Sequence, residues 1–255
     1  MTILYTQVVA LIVFMNLWFL YAAIKSRNDV ADVAWGLGFV LLALIGALMN
    51  PSTKNIFLFL LVAIWGFRLA YHIGTRFLKS DKEDSRYQKM REGWSGSGIV
   101  NSWYRIFMVQ GGLLLLVGAS ILAVSSSPAS SFSLVNILGV LIWLFGIVFE
   151  TIGDRQLKSF LSKEENRGHI MKTGLWRYTR HPNYFGEATL WWGIWFITFG
   201  TQFFWLGLVG PITITILLRF VSGVPLAEKR YTDNQEFIEY AKKTPAMVPN
   251  FFIKQ

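Results

Sequence analysis

The sequence predicts an all-α protein, a polytopic membrane helix bundle with about seven transmembrane helices, folded as a single domain over residues 1–255. Three observations predict it. Hydrophobic residues make up 53% of the chain and charged residues 15%, against ~25% charged in an ordinary soluble domain, so too few charges remain to coat a water-facing surface. Apolar runs of about 20 residues, the length that crosses a bilayer as a helix, recur along the chain. Basic residues collect between alternate runs, as they do in cytoplasmic loops. The 21 Phe and 11 Trp exclude disorder, which requires low hydrophobicity.

The runs lie at residues 3–24, 30–49, 55–73, 103–124, 133–152, 184–200 and 203–221. Length and flanking breakers define them, because periodicity is uninformative in continuous apolar sequence. The first contains no Lys or Arg and reads as an uncleaved span, since a signal peptide carries a basic n-region. The sixth and seventh are short and joined by almost nothing, as in a tight hairpin. With the N-terminus outside, loops 50–54, 125–132 and 201–202 are external and carry one basic residue, Lys54, and no acid. Segments 25–29, 74–102, 153–182 and 222–255 are then internal and hold 20 of the 24 Lys and Arg. This asymmetry predicts an N-terminus outside and a cytoplasmic C-terminus. It also accounts for the net charge of +9 without invoking nucleic acid.

The absence of Cys excludes disulfides, thiolate nucleophiles and Cys-ligated zinc or iron–sulfur clusters. The three His are His72, His169 and His181, and no His-Glu-x-x-His pair occurs, so no metal site is expected. Asp32, Arg68, Arg105, Glu150, Asp154, Glu187 and Arg219 all fall within or beside the inner ends of spans. Charges at membrane depth are costly and are functional candidates. Together they predict a polar chamber open to the cytoplasm.

Two stretches carry candidate chemistry. In Trp65–Arg76, residues Arg68, His72 and Arg76 recur every four positions and form one stripe on a helix. Such a stripe suits anionic lipid or, through its Arg forks, a phosphate ligand. The second stretch runs from Gly153 to Glu187 and ends in Arg177-Tyr178-Thr179-Arg180-His181-Pro182-Asn183-Tyr184-Phe185-Gly186-Glu187. Pro182 disfavours helix at His181, so a helix begins beyond it with its N–H groups facing the inner side. The density of Arg, Asn, Glu and aromatic residues there exceeds what an interfacial belt requires. By contrast, Gly93–Gly98 lacks the strand and Lys-Ser/Thr of a phosphate loop and reads as a linker. Lys163–Arg167 reads as a solvated turn, and no internal repeat supports a transporter.

The run Gly174–Glu187, with Asp154 upstream and Glu228-Lys229-Arg230-Tyr231 downstream, resembles the C-terminal half of the steroid 5-alpha-reductase family. Trp65–Tyr87 and Asp29–Gly36 resemble its bacterial branch, known as domain of unknown function 1295. A looser Arg-His-Pro-x-Tyr-x-Gly pattern is shared with isoprenylcysteine carboxyl methyltransferases and sterol reductases. The resemblance implies a membrane reductase in a bacterial inner membrane, with NADPH entering from the cytosol. Hydride would pass to a C=C bond of an enone in a steroid-like or other lipid substrate drawn from the bilayer. It also implies a cofactor-contacting set of Arg76, Asp154, Lys158, Tyr178, Arg180, Asn183, Tyr184, Glu187, Arg230 and Tyr231.

The position at which the steroid enzymes carry a proton-donating Tyr is Ile73 here, and Asp32 is the acid nearest their second-span Glu. The expected catalytic residues are therefore His72, then Tyr71, with Asp32 as a partner. Two other readings stay open. One is an S-adenosylmethionine-dependent methyltransferase on a similar scaffold, and the other is a lipid-binding membrane protein without catalysis. The abundance of internal Arg and Lys favours the ligand bearing phosphates.

Overall fold

The computed structural model describes residues 2–252, and every regular element among them is helical. In chain order the helices are α1 Thr2–Lys25, α2 Ala31–Met49, α3 Thr53–Lys79, α4 Ser85–Glu92, α5 Gly98–Ser102, α6 Val109–Val117, α7 Ala119–Ser125, α8 Leu134–Leu161, α9 Pro182–Ile197, α10 Phe204–Gly207, α11 Val209–Ile216, α12 Val224–Glu228 and α13 Gln235–Lys243. A π-turn at Trp103–Met108 joins α5 to α6, and another at Leu217–Val221 follows α11. Six stretches are long and apolar enough to cross a membrane: Thr2–Lys25, Asn28–Met49, Thr53–Lys79, Gly98–Val117, Leu134–Leu161 and Phe204–Tyr231. The protein is an all-α, multi-pass membrane protein. The remaining expected span is α9, whose 16 residues extend about 24 Å at ~1.5 Å per residue, short of a ~30 Å hydrocarbon core.

The helices form two compact units. The first comprises Met1–Phe132 and Thr198–Val209. Ser52 starts α3 by accepting the Asn55 N–H, one of the donors a helix leaves unpaired at its start. Helices α2 and α3 meet at Gly36 and Gly66. A Cβ on Gly36 would lie 2.7 Å from the Gly66 carbonyl oxygen, so only glycine permits this approach. The expected span 103–124 begins earlier, at Gly98, and breaks at Gly118 between α6 and α7.

Polar groups of this unit sort to its two ends. At one end the Gln7 amide donates to the Leu42 carbonyl at 2.9 Å, and the Asn50 amide donates to the Ser127 carbonyl at 2.8 Å. Lys54 Nζ donates to the Phe199 carbonyl at 2.5 Å. Lys54 is 1% exposed, so the one basic residue of the expected outer loops is sequestered rather than solvated. The other end gathers the charges, including Arg27, Asp29, Asp32, Glu83, Asp84, Arg86 and Arg91.

The second unit comprises Ser133–Ile197 and Gly210–Gln255. Ser133 and Asn136 form a capping box that starts α8. The Asn136 amide also donates to the Ile197 carbonyl at 2.9 Å, tying the start of α8 to the end of α9. Between these points the two helices run antiparallel, backbone against backbone. A Cβ on Gly139 would lie 2.7 Å from the Gly193 oxygen, and one on Gly146 would lie 2.7 Å from the Gly186 oxygen. One on Gly153 would lie 3.1 Å from the Asn183 nitrogen. Glycines every seven residues on α8 keep the facing row free of side chains, which is how helices close without a hydrophobic driving force in lipid. The last contact sets the base of α8 beside the start of α9.

Candidate functional site

At that junction Pro182 occupies the first turn of α9, where its missing N–H costs nothing. Next to it, Asn183 Oδ1 is buried with no hydrogen-bond donor among the described residues. Asp154 follows Gly153 at this end of α8, and Lys158 lies one turn further along the helix. Glu187 lies one turn beyond Asn183 on the same side of α9. The loop between α8 and α9 is pinned by the Trp176 indole, which donates to the Gly153 carbonyl at 3.1 Å. It is pinned again by the Leu175 N–H, which donates to Gln156 Oε1 at 2.9 Å.

The C-terminal segment straps the same loop in antiparallel order. The Arg180 N–H donates to the Pro245 carbonyl at 2.9 Å, Thr179 Oγ1 donates to the Met247 carbonyl at 2.8 Å, and the Asn250 N–H donates to the Tyr178 carbonyl at 2.9 Å. The Tyr240 hydroxyl donates to the Trp176 carbonyl. Burial pushes the Tyr240 hydroxyl well above the usual tyrosine range, so it stays a donor.

Glu228 joins this segment to the loop. Arg180 forks onto it through Nε at 2.8 Å and Nη2 at 3.1 Å, and His181 Nε2 lies 2.8 Å from its Oε1. The His181 ring stacks on Tyr184, with centroids 5.0 Å apart and planes 6° from parallel. Burial lowers the His181 pKa, and the nearby Arg180 and Arg219 charges lower it further, against the opposing pull of Glu228. A neutral imidazole then donates its Nε2–H to Glu228 and keeps Nδ1 as an acceptor.

In the first unit the charged end is built around α4. Asp84 caps α4 by accepting the Arg86 N–H at 2.9 Å, and its N–H donates to Asp29 Oδ2 at 3.1 Å. Burial raises the Asp84 pKa, but the Arg86 hydrogen bonds and the Arg86 and Arg76 charges outweigh it and hold that carboxyl below the usual range. Tyr87, 6% exposed, reaches inward to donate its hydroxyl to Asp32 Oδ1 at 2.5 Å, and it accepts the Gln110 amide at 3.2 Å. Arg86 Nη2 holds the other Asp32 oxygen at 2.8 Å. Burial, with the Asp32 charge adding to it, pushes the Tyr87 hydroxyl well above the usual tyrosine range.

The expected residues divide between these places. Asp154, Lys158, Tyr178, Arg180, Asn183, Tyr184, Glu187, Arg230 and Tyr231 belong to the second unit. There Arg180 anchors the strap, bonding Glu228 and the Thr244 carbonyl at 2.6 Å. Arg230 lies over its neighbour Tyr231, 4.6 Å from the ring centroid, and Tyr231 stacks on Phe237. Arg76, His72, Tyr71 and Asp32 belong to the first unit. Arg76 is largely exposed and 3.7 Å from Asp84. Tyr71 is 75% exposed and shares a stripe with Leu60, Ile64 and Phe67, which marks a membrane-facing surface. Sequence reading did not pair Tyr87 with Asp32 or His181 with Glu228. Both pairs join residues about 50 positions apart on separate elements, and no local spacing signals them.

The family model described as protein of unknown function (DUF1295) matches residues 18–244. The chain is also 30% identical over 128 residues to protein-S-isoprenylcysteine O-methyltransferase of Saccharomyces cerevisiae, covering 46% of this chain and 49% of that protein. The match therefore spans about half the length of that relative. No solved structure matches.

Proposed function

The chain belongs to the DUF1295 family, and on that premise we propose that it is a membrane enzyme that binds a nucleotide where α9 begins and acts on an apolar, lipid-borne substrate. The observation that carries this reading is Asn183 Oδ1, a buried amide oxygen with no donor among the described residues, since buried polar groups are otherwise paired. NADPH fits the residues present. A ribose hydroxyl or carboxamide N–H is the kind of donor Asn183 Oδ1 accepts. The early N–H groups of α9 favour a phosphate. Among the described residues no acid pairs with Arg155, Lys158, Arg177 or Arg230, which leaves cations for a polyanion.

When bound, NADPH would supply a hydride to the C=C bond of an enone. Asn183, Asp154 and Glu187 would hold and orient it, with Lys158 and Arg230 neutralising phosphates. The reaction also consumes one proton, delivered by a general acid. The second reading is methyl transfer from S-adenosylmethionine, favoured by the similarity to the yeast methyltransferase.

The deciding experiment compares thermal stabilisation of the detergent-solubilised protein by NADPH and by S-adenosylmethionine, and follows NADPH oxidation with a panel of lipid-like enones. NADPH alone is expected to raise the melting temperature. Stabilisation by S-adenosylmethionine alone supports methyl transfer, and stabilisation by neither overturns the nucleotide site.

A further inference from the structure

The first unit carries a groove of about 370 Å³, walled by Leu17, Trp18 and Tyr21 of α1, Val33 of α2, and Gly74 and Phe77 of α3. Its lining is almost wholly carbon, and the size falls within the ~300–1,000 Å³ of ligand sites. Leu17 is 60% exposed and neighbouring Leu78 78% exposed, so the mouth opens sideways, where a spanning helix meets lipid rather than water. The Tyr21 hydroxyl has no hydrogen-bond partner among the described residues. Amphipathic rings such as Trp18 and Tyr21 sit at the level where acyl chains meet headgroups.

The groove ends at cations. Arg27 lies over the Phe77 ring, 3.9 Å from its centroid, and donates to the Phe77 carbonyl at 3.2 Å. Its charge is largely answered by Asp29 at 2.8 Å. Lys25 is not answered. It continues the Leu17–Tyr21 row at four-residue steps, it is exposed, and no acid of the described residues pairs with it. A carbon-lined slot opening into the bilayer and ending at an unpaired ammonium has the shape and charge of one ligand class.

We propose that this groove binds one acyl chain of an anionic phospholipid, whose headgroup phosphate rests against Lys25 and the Tyr21 hydroxyl. The groove is built wholly from residues of the first unit, and its test does not depend on any catalytic activity. One basic residue near a headgroup favours an anionic over a zwitterionic lipid by about fivefold. Gly74 forms the groove floor. A Cβ there would meet only Val33 Cγ1, at 3.9 Å, so Gly74→Leu fills the slot without displacing backbone.

The test reconstitutes the full chain in bilayers containing dibrominated phosphatidylglycerol or dibrominated phosphatidylcholine. The fluorescence quenching of Trp18 is taken as the difference between wild type and Trp18→Phe. Phosphatidylglycerol should half-quench Trp18 at about one-fifth the mole fraction that phosphatidylcholine needs. Lys25→Gln should abolish that preference while leaving quenching intact. Gly74→Leu, or Val33→Phe from the opposite wall, should abolish the preference by excluding the chain. Equal quenching of the wild type by both lipids overturns the proposal. So does a preference that survives Gly74→Leu, because that preference would belong to lipid sliding past the helix surface.

Discussion

The Tyr87 hydroxyl donates to Asp32 Oδ1 at 2.5 Å, joining a short helix of the inner loop to the first turn of α2. The bond crosses 55 residues of sequence, and its tyrosine is buried. It stands beside the Arg86–Asp32 ion pair, so the carboxylate is held from two directions.

Tyr87→Phe removes one hydrogen bond to a charged group, and the expected cost is about 1.5–3 kcal/mol of stability. Melting curves of the two proteins read that cost. An unchanged melting temperature for Tyr87→Phe would mean that this bond does not hold α4 to α2.

The raised Tyr87 and Tyr240 pKa values have a signed consequence. Above about pH 10 an unfolded tyrosine loses its proton while these buried ones keep theirs. The unfolded state then binds fewer protons, and stability falls as pH rises. Melting temperature should decline above that pH, and the decline should be shallower in Tyr87→Phe.

His181 acts at the other end of the scale. Its folded pKa lies below the usual 6.5, so as pH drops through 6.5 the unfolded chain takes up a proton that the folded chain refuses. Stability is present above that value and is lost as pH falls toward the folded pKa. His181→Gln keeps an amide donor to Glu228 and should flatten the slope below pH 6.5. A slope equal to that of the wild type would place the titration elsewhere.

Asn183→Ala deletes the buried amide at the start of α9. The expected loss of nucleotide affinity is about 1–3 kcal/mol, roughly 5- to 150-fold. Titration calorimetry on the solubilised protein reads it directly, and an unchanged affinity in a folded variant sinks the role.

The glycine ladder predicts a position-dependent pattern. Gly146→Ala forces a methyl group against the Gly186 carbonyl, and the cost should be about 1–3 kcal/mol. Gly112→Ala meets nothing within 4 Å and should be neutral or stabilise by up to about 1 kcal/mol through helix propensity. Equal melting temperatures for the two variants would mean that α8 and α9 do not close on each other.

Topology is open to labelling because the chain has no cysteine. Cysteine introduced at exposed Ala129 should react with an impermeant reagent in intact cells, and cysteine at exposed Ser162 should not. The reverse pattern inverts the orientation that the basic residues predict.

The membrane class, the helical content and most span starts followed from the sequence alone, while helices at Thr53–Lys79, Leu134–Leu161 and Phe204–Tyr231 run on past their expected inner ends and the fourth span starts earlier, at Gly98. The solvent of a membrane protein writes them locally: a helix must satisfy its own backbone in lipid, so about 20 apolar residues suffice to declare it. The loop before α9 was legible for the same reason, since Pro182 and its dense polar neighbours mark a helix start at an interface. What composition and spacing did not hold were relations between distant segments. Nothing local pairs Tyr87 with Asp32, or Arg180 and His181 with Glu228. Nor does anything local reveal that Gly139, Gly146 and Gly153 face α9 and set the base of α8 against Asn183. Those relations depend on which helix faces touch, and in uniformly apolar helices small residues and buried polar partners decide that, not periodicity. The tertiary structure alone shows that Tyr71 lies on an exposed stripe, while burial and Asp32 hold the Tyr87 hydroxyl in place.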